Sequence, residues 1–87
     1  MYYVYFLKSR KDGHSVYVGY TNNLRRRLQE HNIGRGGKYT KNKGPFSLVY
    51  YEAYNSMEDA QNREQALKVH KRAYSQLKNR IKEGLKK

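Results

Sequence analysis

The chain has no cysteine, no tryptophan and a single proline, and only seven of its 87 residues are acidic. Without cysteine there is neither a disulfide framework nor a thiolate metal site, which fits a reducing compartment. No apolar run approaches the ~20 residues that a membrane-spanning helix needs. The start Met1-Tyr2-Tyr3-Val4-Tyr5 lacks a basic leader and a cleavage site. These absences lead us to expect a cytoplasmic protein with no membrane partner, folded as one domain over residues 1–87 near the lower size limit for an unassisted core.

What the chain has in excess is positive charge and tyrosine. Nineteen Lys and Arg against seven Asp and Glu give a formal net charge of +12, and ten residues are tyrosine. A charge of this size on a small surface calls for a polyanionic partner. Nucleic acid is the expected one, because tyrosine faces lie beside the charge. Ribosomal proteins and binders of anionic membranes share the composition, so charge alone does not choose among them.

Alternation of Tyr, Val, Phe and Leu predicts a strand over 2–8, with Tyr3, Tyr5 and Leu7 on one face. Asp12-Gly13 signals a reversal, and residues 15–20 return as a second strand with Tyr17 and Gly19 on a common face. Gly19 has no side chain, so we expect it to leave the backbone open to a ligand. Thr21 or Asn22 is the expected cap of a helix running through Leu24 and Leu28 to about His31. Residues 32–45, with four glycines and four basic residues, read as a loop, and 46–54 as a third strand. Ser56-Met57-Glu58-Asp59 resembles a capping box opening a helix with an inward seam of Met57, Ala60, Glu64 and Leu67. Tyr74, Leu77, Ile81 and Leu85 mark a last amphipathic helix. The fold class is therefore α/β: a small three-stranded, mainly antiparallel sheet flanked by helices in the order β-β-α-β-α-α.

Chemistry concentrates at a few positions. Glu64 sits on a seam where an isolated charge is costly. It is explained either by an ion pair with Arg27 or Lys68 or by a metal. Tyr5 and Tyr17 are either packing residues or a hydroxyl pair, and as a base either needs cations nearby to favour the phenolate. Arg25, Arg26 and Arg27 form a basic run. Arg27, three after Leu24, is the phosphate clamp nearest the packed face, whereas Arg25 and Arg26 are expected to make nonspecific phosphate contacts. His31, one turn after Arg27, is either a catalyst or a residue favoured by the helix dipole. Arg35, Lys38, Lys41 and Lys43 make the loop basic, and Tyr39 offers a face for an unpaired base. The loop does not match the Walker A pattern.

The ordered set Tyr3-Val4-Tyr5, Tyr17-Val18-Gly19, Arg27 and Glu64 resembles the GIY-YIG nuclease superfamily, and in particular small stand-alone domains related to the UvrC amino-terminal nuclease domain. Tyr3 stands where the first motif has glycine, and Val18 where the second has isoleucine. Arg27 falls eight residues after Gly19, the family spacing, and the stretch 60–68 around Glu64 is similar to the family's metal-binding helix. His31 matches a position that is catalytic in some restriction-enzyme relatives, and Asn79 is the candidate for the family's late asparagine. The resemblance implies the GIY-YIG endonuclease fold and a phosphodiester hydrolase using Mg²⁺ or Mn²⁺ on Glu64, with Tyr5, Tyr17, Arg27 and His31 as catalytic residues. It implies DNA as substrate ahead of RNA, a connection to DNA repair, and weak sequence specificity or a protein partner that supplies targeting. The alternative is a nucleic-acid-binding module of the same fold with little activity unless that partner is present.

Overall fold

The computed structural model describes residues 1–35, 40 and 43–86. Lys38, Lys41 and Tyr39 of the basic loop lie outside the described residues. Strand β1 (Tyr2–Ser9) runs antiparallel to both β2 (Val16–Thr21) and β3 (Phe46–Tyr54), giving the sheet order β2-β1-β3. Helix α1 (Leu24–Asn32) follows β2; α2 (Met57–Val69), α3 (Lys71–Arg80) and the single turn α4 (Lys82–Leu85) follow β3. Among the described residues no helix is long and apolar enough to cross a membrane.

Alternation on the central strand divides the core in two. Val4 and Phe6 point to one side, where they meet Ala60 and Leu67 of α2 and Leu77 of α3. Tyr5 and Leu7 point to the other, with Phe46, Tyr17, Leu48 and the α1 leucines Leu24 and Leu28. Helices thus cover both faces of a sheet only three strands wide. Each layer is thin, and residues on the edge strand β2 remain half-buried. A bulge in β3 between the pairs Phe6↔Tyr50 and Leu7↔Leu48 adds one residue to that strand.

The reversal between β1 and β2 is built as expected around Gly13, whose φ is +75°. The Asp12 carboxylate accepts hydrogen bonds from the Ser15 hydroxyl and from the Ser15 and His14 amides, which hold its carboxyl well below the usual range.

Four local expectations are corrected. Asn23, not Thr21 or Asn22, caps α1: its Oδ1 accepts the Arg26 amide at 3.0 Å, and Thr21 Oγ1 accepts the Asn23 amide at 3.1 Å, turning the chain one residue later. Ser56 does occupy the N-cap of α2 but makes no side-chain capping bond, so the helix start relies on Glu58 and Asp59 in the positive first turn. Met57 is 47% exposed, and the inward stripe begins at Ala60. The last helix is also not continuous. Ile81 (φ −109°, ψ 19°) interrupts it, and His70 in extended conformation separates α3 from α2.

Candidate active site

A cleft of about 620 Å³ opens beside β2, and Tyr5, Tyr17, Arg27, His31 and Glu64 all line it. They arrive on four elements (β1, β2, α1 and α2), so only the folded topology assembles them. Tyr5 is 3% exposed and pairs with Gly19 across the β1–β2 ladder. Its ring lies over that glycine: a Cβ built on Gly19 would meet the Tyr5 hydroxyl oxygen and sit 2.7 Å from its Cζ. Gly19 lines the cleft, and the space left by its missing side chain is filled by the Tyr5 phenol.

The Tyr5 hydroxyl is the hub of a buried hydrogen-bond chain. Arg27, one turn into α1, donates its Nε–H to Tyr5 at 3.3 Å and its Nη1 to Glu30 Oε1 at 3.2 Å. His31 Nε2 lies 2.9 Å from the same hydroxyl, and His31 Nδ1 lies 2.8 Å from Thr40 Oγ1. Arginine can only donate, so Tyr5 accepts from it, and a buried phenol must still place its own proton. With that proton directed to the His31 Nε2 lone pair, the imidazole would carry its own proton on Nδ1, facing Thr40. The ring is further fixed edge-on against Tyr5 and Phe46, with centroids 5.8 and 6.0 Å away.

Electrostatics agree with this assignment. Burial, and then the Arg27 charge, push the His31 pKa below 6.5. His31 is therefore neutral at pH 7 and buried, not a dipole-stabilised cation at the end of α1. Burial raises the Tyr5 pKa, opposed by its hydrogen bond to Arg27 and the charge of that guanidinium, with Glu64 and Glu30 adding to the rise.

Tyr17 stands on β2 opposite Leu7, half-buried, with its ring edge-on to Phe46 at 5.5 Å. The Glu64 side chain is 14% exposed, and its Oε2 lies 3.4 Å from Lys68 Nζ. Of the two ion-pair partners the sequence offered for Glu64, the structure supplies Lys68; Arg27 pairs with Glu30 instead. The helix that carries Glu64 is pinned on both flanks. Arg63 makes a bidentate pair with Glu52 on β3 at 2.9 and 3.1 Å, and Glu52 also accepts from Tyr50 and Tyr54. On the other side Gln61 donates to the Tyr20 hydroxyl at 2.8 Å.

Sequence reasoning missed Thr40, which sits in the glycine-rich loop and carries no periodic signal. It also missed the Glu52 cluster, whose members lie on separate elements. Asn79 is exposed on α3 and does not line the cleft, so it does not join the other five. Arg25, Arg26, Arg35 and Lys43 are exposed and do not line the cleft.

Comparison with known proteins gives a concordant result. A UPF0213 protein of Clostridium perfringens is 47% identical over 68 residues, covering 78% of this chain and 71% of that protein. One from Haloquadratum walsbyi is 37% identical over 75 residues, covering 86% and 82% respectively. The solution NMR structure of a UPF0213 protein from Bacillus halodurans superposes with a TM-score of 0.52 at 40% identity, covering 88% of this chain and 82% of that one. The model of the GIY-YIG catalytic domain matches residues 1–82, a span that includes every residue of the cleft, and the chain belongs to the GIY-YIG family.

Proposed function

We propose that the protein is a divalent-metal-dependent endonuclease that hydrolyses DNA phosphodiester bonds with little sequence selectivity. The observation that carries this reading is the Tyr5 hydroxyl, held between a cation and a neutral imidazole in the cleft that Tyr17 and Glu64 also line. Glu64 is the residue that would hold Mg²⁺ or Mn²⁺. Mg²⁺ keeps several of its waters and takes one or two carboxylates. A single cleft carboxylate therefore fits, and among the described residues no group of three His, Asp or Glu gathers. When bound, the ion would supply positive charge that offsets the negative charge building on the phosphate oxygens.

The remaining roles follow from the hydrogen bonds. Arg27 places a fixed positive charge where the phosphoryl oxygens become more negative in the transition state. Tyr5 is the general base, because it has an acceptor for its own proton. As Tyr5 takes a proton from the attacking water, its phenolic proton passes to His31 Nε2, and no free phenolate has to persist. Tyr17, the more open hydroxyl, orients the water. Thr40 Oγ1, 2.8 Å from Nδ1, accepts the imidazole proton when Nε2 is the acceptor.

This assignment is tested by pH. His31 must be neutral, and its pKa is depressed, so the rate should fall only as the pH drops through a value below 6.5 and should be level above it. Tyr5→Phe should lower single-turnover cleavage by about 10²- to 10⁴-fold, and Tyr17→Phe by less. Undiminished cleavage by Tyr5→Phe, or an acid limb at or above 6.5, would remove Tyr5–His31 as the base. Cleavage that none of these substitutions affects would favour the binding-module alternative over an active site.

The charge carries a separate expectation for binding. If about five phosphates are neutralised, affinity for duplex DNA should fall with a log–log salt slope of about −4.5, roughly 500-fold between about 50 and 200 mM. Titrations of two unrelated duplexes of equal length would measure this. A shallow slope with strong preference for one duplex would indicate base readout and contradict the proposal.

A further inference from the structure

The cleft is larger than its polar residues require. Beyond Tyr17 and Gly19 it continues round the free edge of β2, and Val16 and Val18, which point to the other side of that strand, also line it. Leu67 and Tyr74 extend this apolar wall, and Lys68 stands at its rim with half of its side chain exposed. Nothing in phosphodiester hydrolysis uses such a wall. In a nucleic acid, however, each phosphate is flanked by a sugar and a base, and the volume of about 620 Å³ lies within the range of pockets that enclose a small organic ligand.

Pairing decides which base can enter. In a duplex, the bases beside a phosphate are stacked and turned toward the helix axis, so a recess beside that phosphate cannot receive one. An unpaired nucleotide can swing its base out at little cost. We propose that the Val16–Val18–Leu67–Tyr74 end of the cleft is a subsite for an unpaired DNA base adjoining the scissile phosphate, with Lys68 on a neighbouring phosphate. The proposal rests on the endonuclease reading and narrows its substrate to DNA with a single-stranded stretch.

The geometry also sets the selectivity of the subsite. One side of Tyr74 packs against Phe6, with ring centroids 5.8 Å apart, and the Lys78 ammonium lies 5.2 Å from the Tyr74 centroid. Contact with a base through the methyl groups of Val16, Val18 and Leu67 discriminates weakly among the four bases.

Binding without metal separates this subsite from catalysis. In EDTA, a single-stranded DNA of about 12 nucleotides should bind at least about fivefold more tightly than the duplex of the same sequence. One abasic nucleotide, moved along the strand, should weaken binding severalfold at one position of a pre-aligned, end-anchored probe. Val18→Asp should weaken single-strand binding and spare duplex binding, with the amide NMR spectrum confirming the fold. Should that variant not fold, Lys68→Ala and the abasic scan carry the test. Equal affinity for both forms with no effect of the abasic site would overturn the proposal, as would tighter binding of an RNA of the same sequence. The same oligonucleotides with Mg²⁺ then read cleavage. Equal binding with duplex cutting defeats the subsite alone, whereas single-strand preference without cutting under either metal defeats the nuclease reading and leaves the subsite.

Discussion

Glu64→Gln is expected to abolish metal-dependent DNA cleavage while leaving the fold and most DNA affinity intact. The amide preserves the shape of a side chain that is 14% exposed in the cleft and removes the charge that would hold the cation. Losing a charge that stabilises the transition state costs about 3–4 kcal/mol, or roughly 10²- to 10³-fold in rate. Among the described residues, Glu64 pairs with the half-exposed Lys68 through an i,i+4 contact. Such a pair contributes at most about 0.5 kcal/mol to stability. Thermal unfolding should therefore shift very little while cleavage collapses. Titrating Mg²⁺ and Mn²⁺ in a cleavage assay, beside a melting curve and a binding isotherm, measures all three quantities. Wild-type cleavage by the variant would eliminate the metal-ligand role. A large drop in melting temperature would instead mark Glu64 as structural.

Arg27→Ala should raise the barrier to cleavage by about 3–4 kcal/mol, slowing it roughly 10²- to 10³-fold, far more than Arg25→Ala or Arg26→Ala. The three arginines adjoin in sequence but differ in surroundings. Arg25 and Arg26 are exposed, whereas Arg27 is half-buried and donates to Tyr5 and Glu30. A second readout separates a local role from loss of general charge. The Arg27 guanidinium is one of the two causes that depress the His31 pKa, so its removal should move that pKa upward. The acid limb of the rate profile and the imidazole NMR titration should then move to higher pH together. Equal losses across the three arginines, with His31 unmoved, would point to diffuse electrostatics.

The sequence exposed the elements far better than the connections between side chains. Alternation over 2–8 and the Asp12-Gly13 turn located the hairpin, because strand periodicity and turn chemistry are local properties. The cap of α1 came out one residue away, since Thr21, Asn22 and Asn23 offer equivalent oxygens and only the backbone path chooses among them. The break at Ile81 carries no glycine or proline signal. Within the site, the identities of Tyr5, Tyr17, Arg27 and Glu64 were legible from order and spacing. Their partners were not: Tyr5 meets His31 across 26 residues, and His31 meets Thr40 inside a loop without periodicity. The Tyr5 phenol over Gly19 was not legible, because alternation tells which face a residue occupies but not what lies across the ladder from it.

That ladder contact makes the two tyrosine motifs a single mechanical part. The absence of a side chain at 19 is what allows the phenol at 5 to lie flat across the hairpin, so neither position is an independent mark of the family. The turn between the strands, residues 10–15, lines no part of the cleft but is tied to the chain elsewhere, its Arg10 amide donating to the Pro45 carbonyl at 2.8 Å. A slip of one residue in pairing is a different matter. It would bring Val18 or Tyr20 beneath the Tyr5 ring and turn the Tyr17 hydroxyl to the opposite layer. The hairpin thus admits no change of phase along its rungs, and the distance in sequence between the motifs matters less than the pairing they keep.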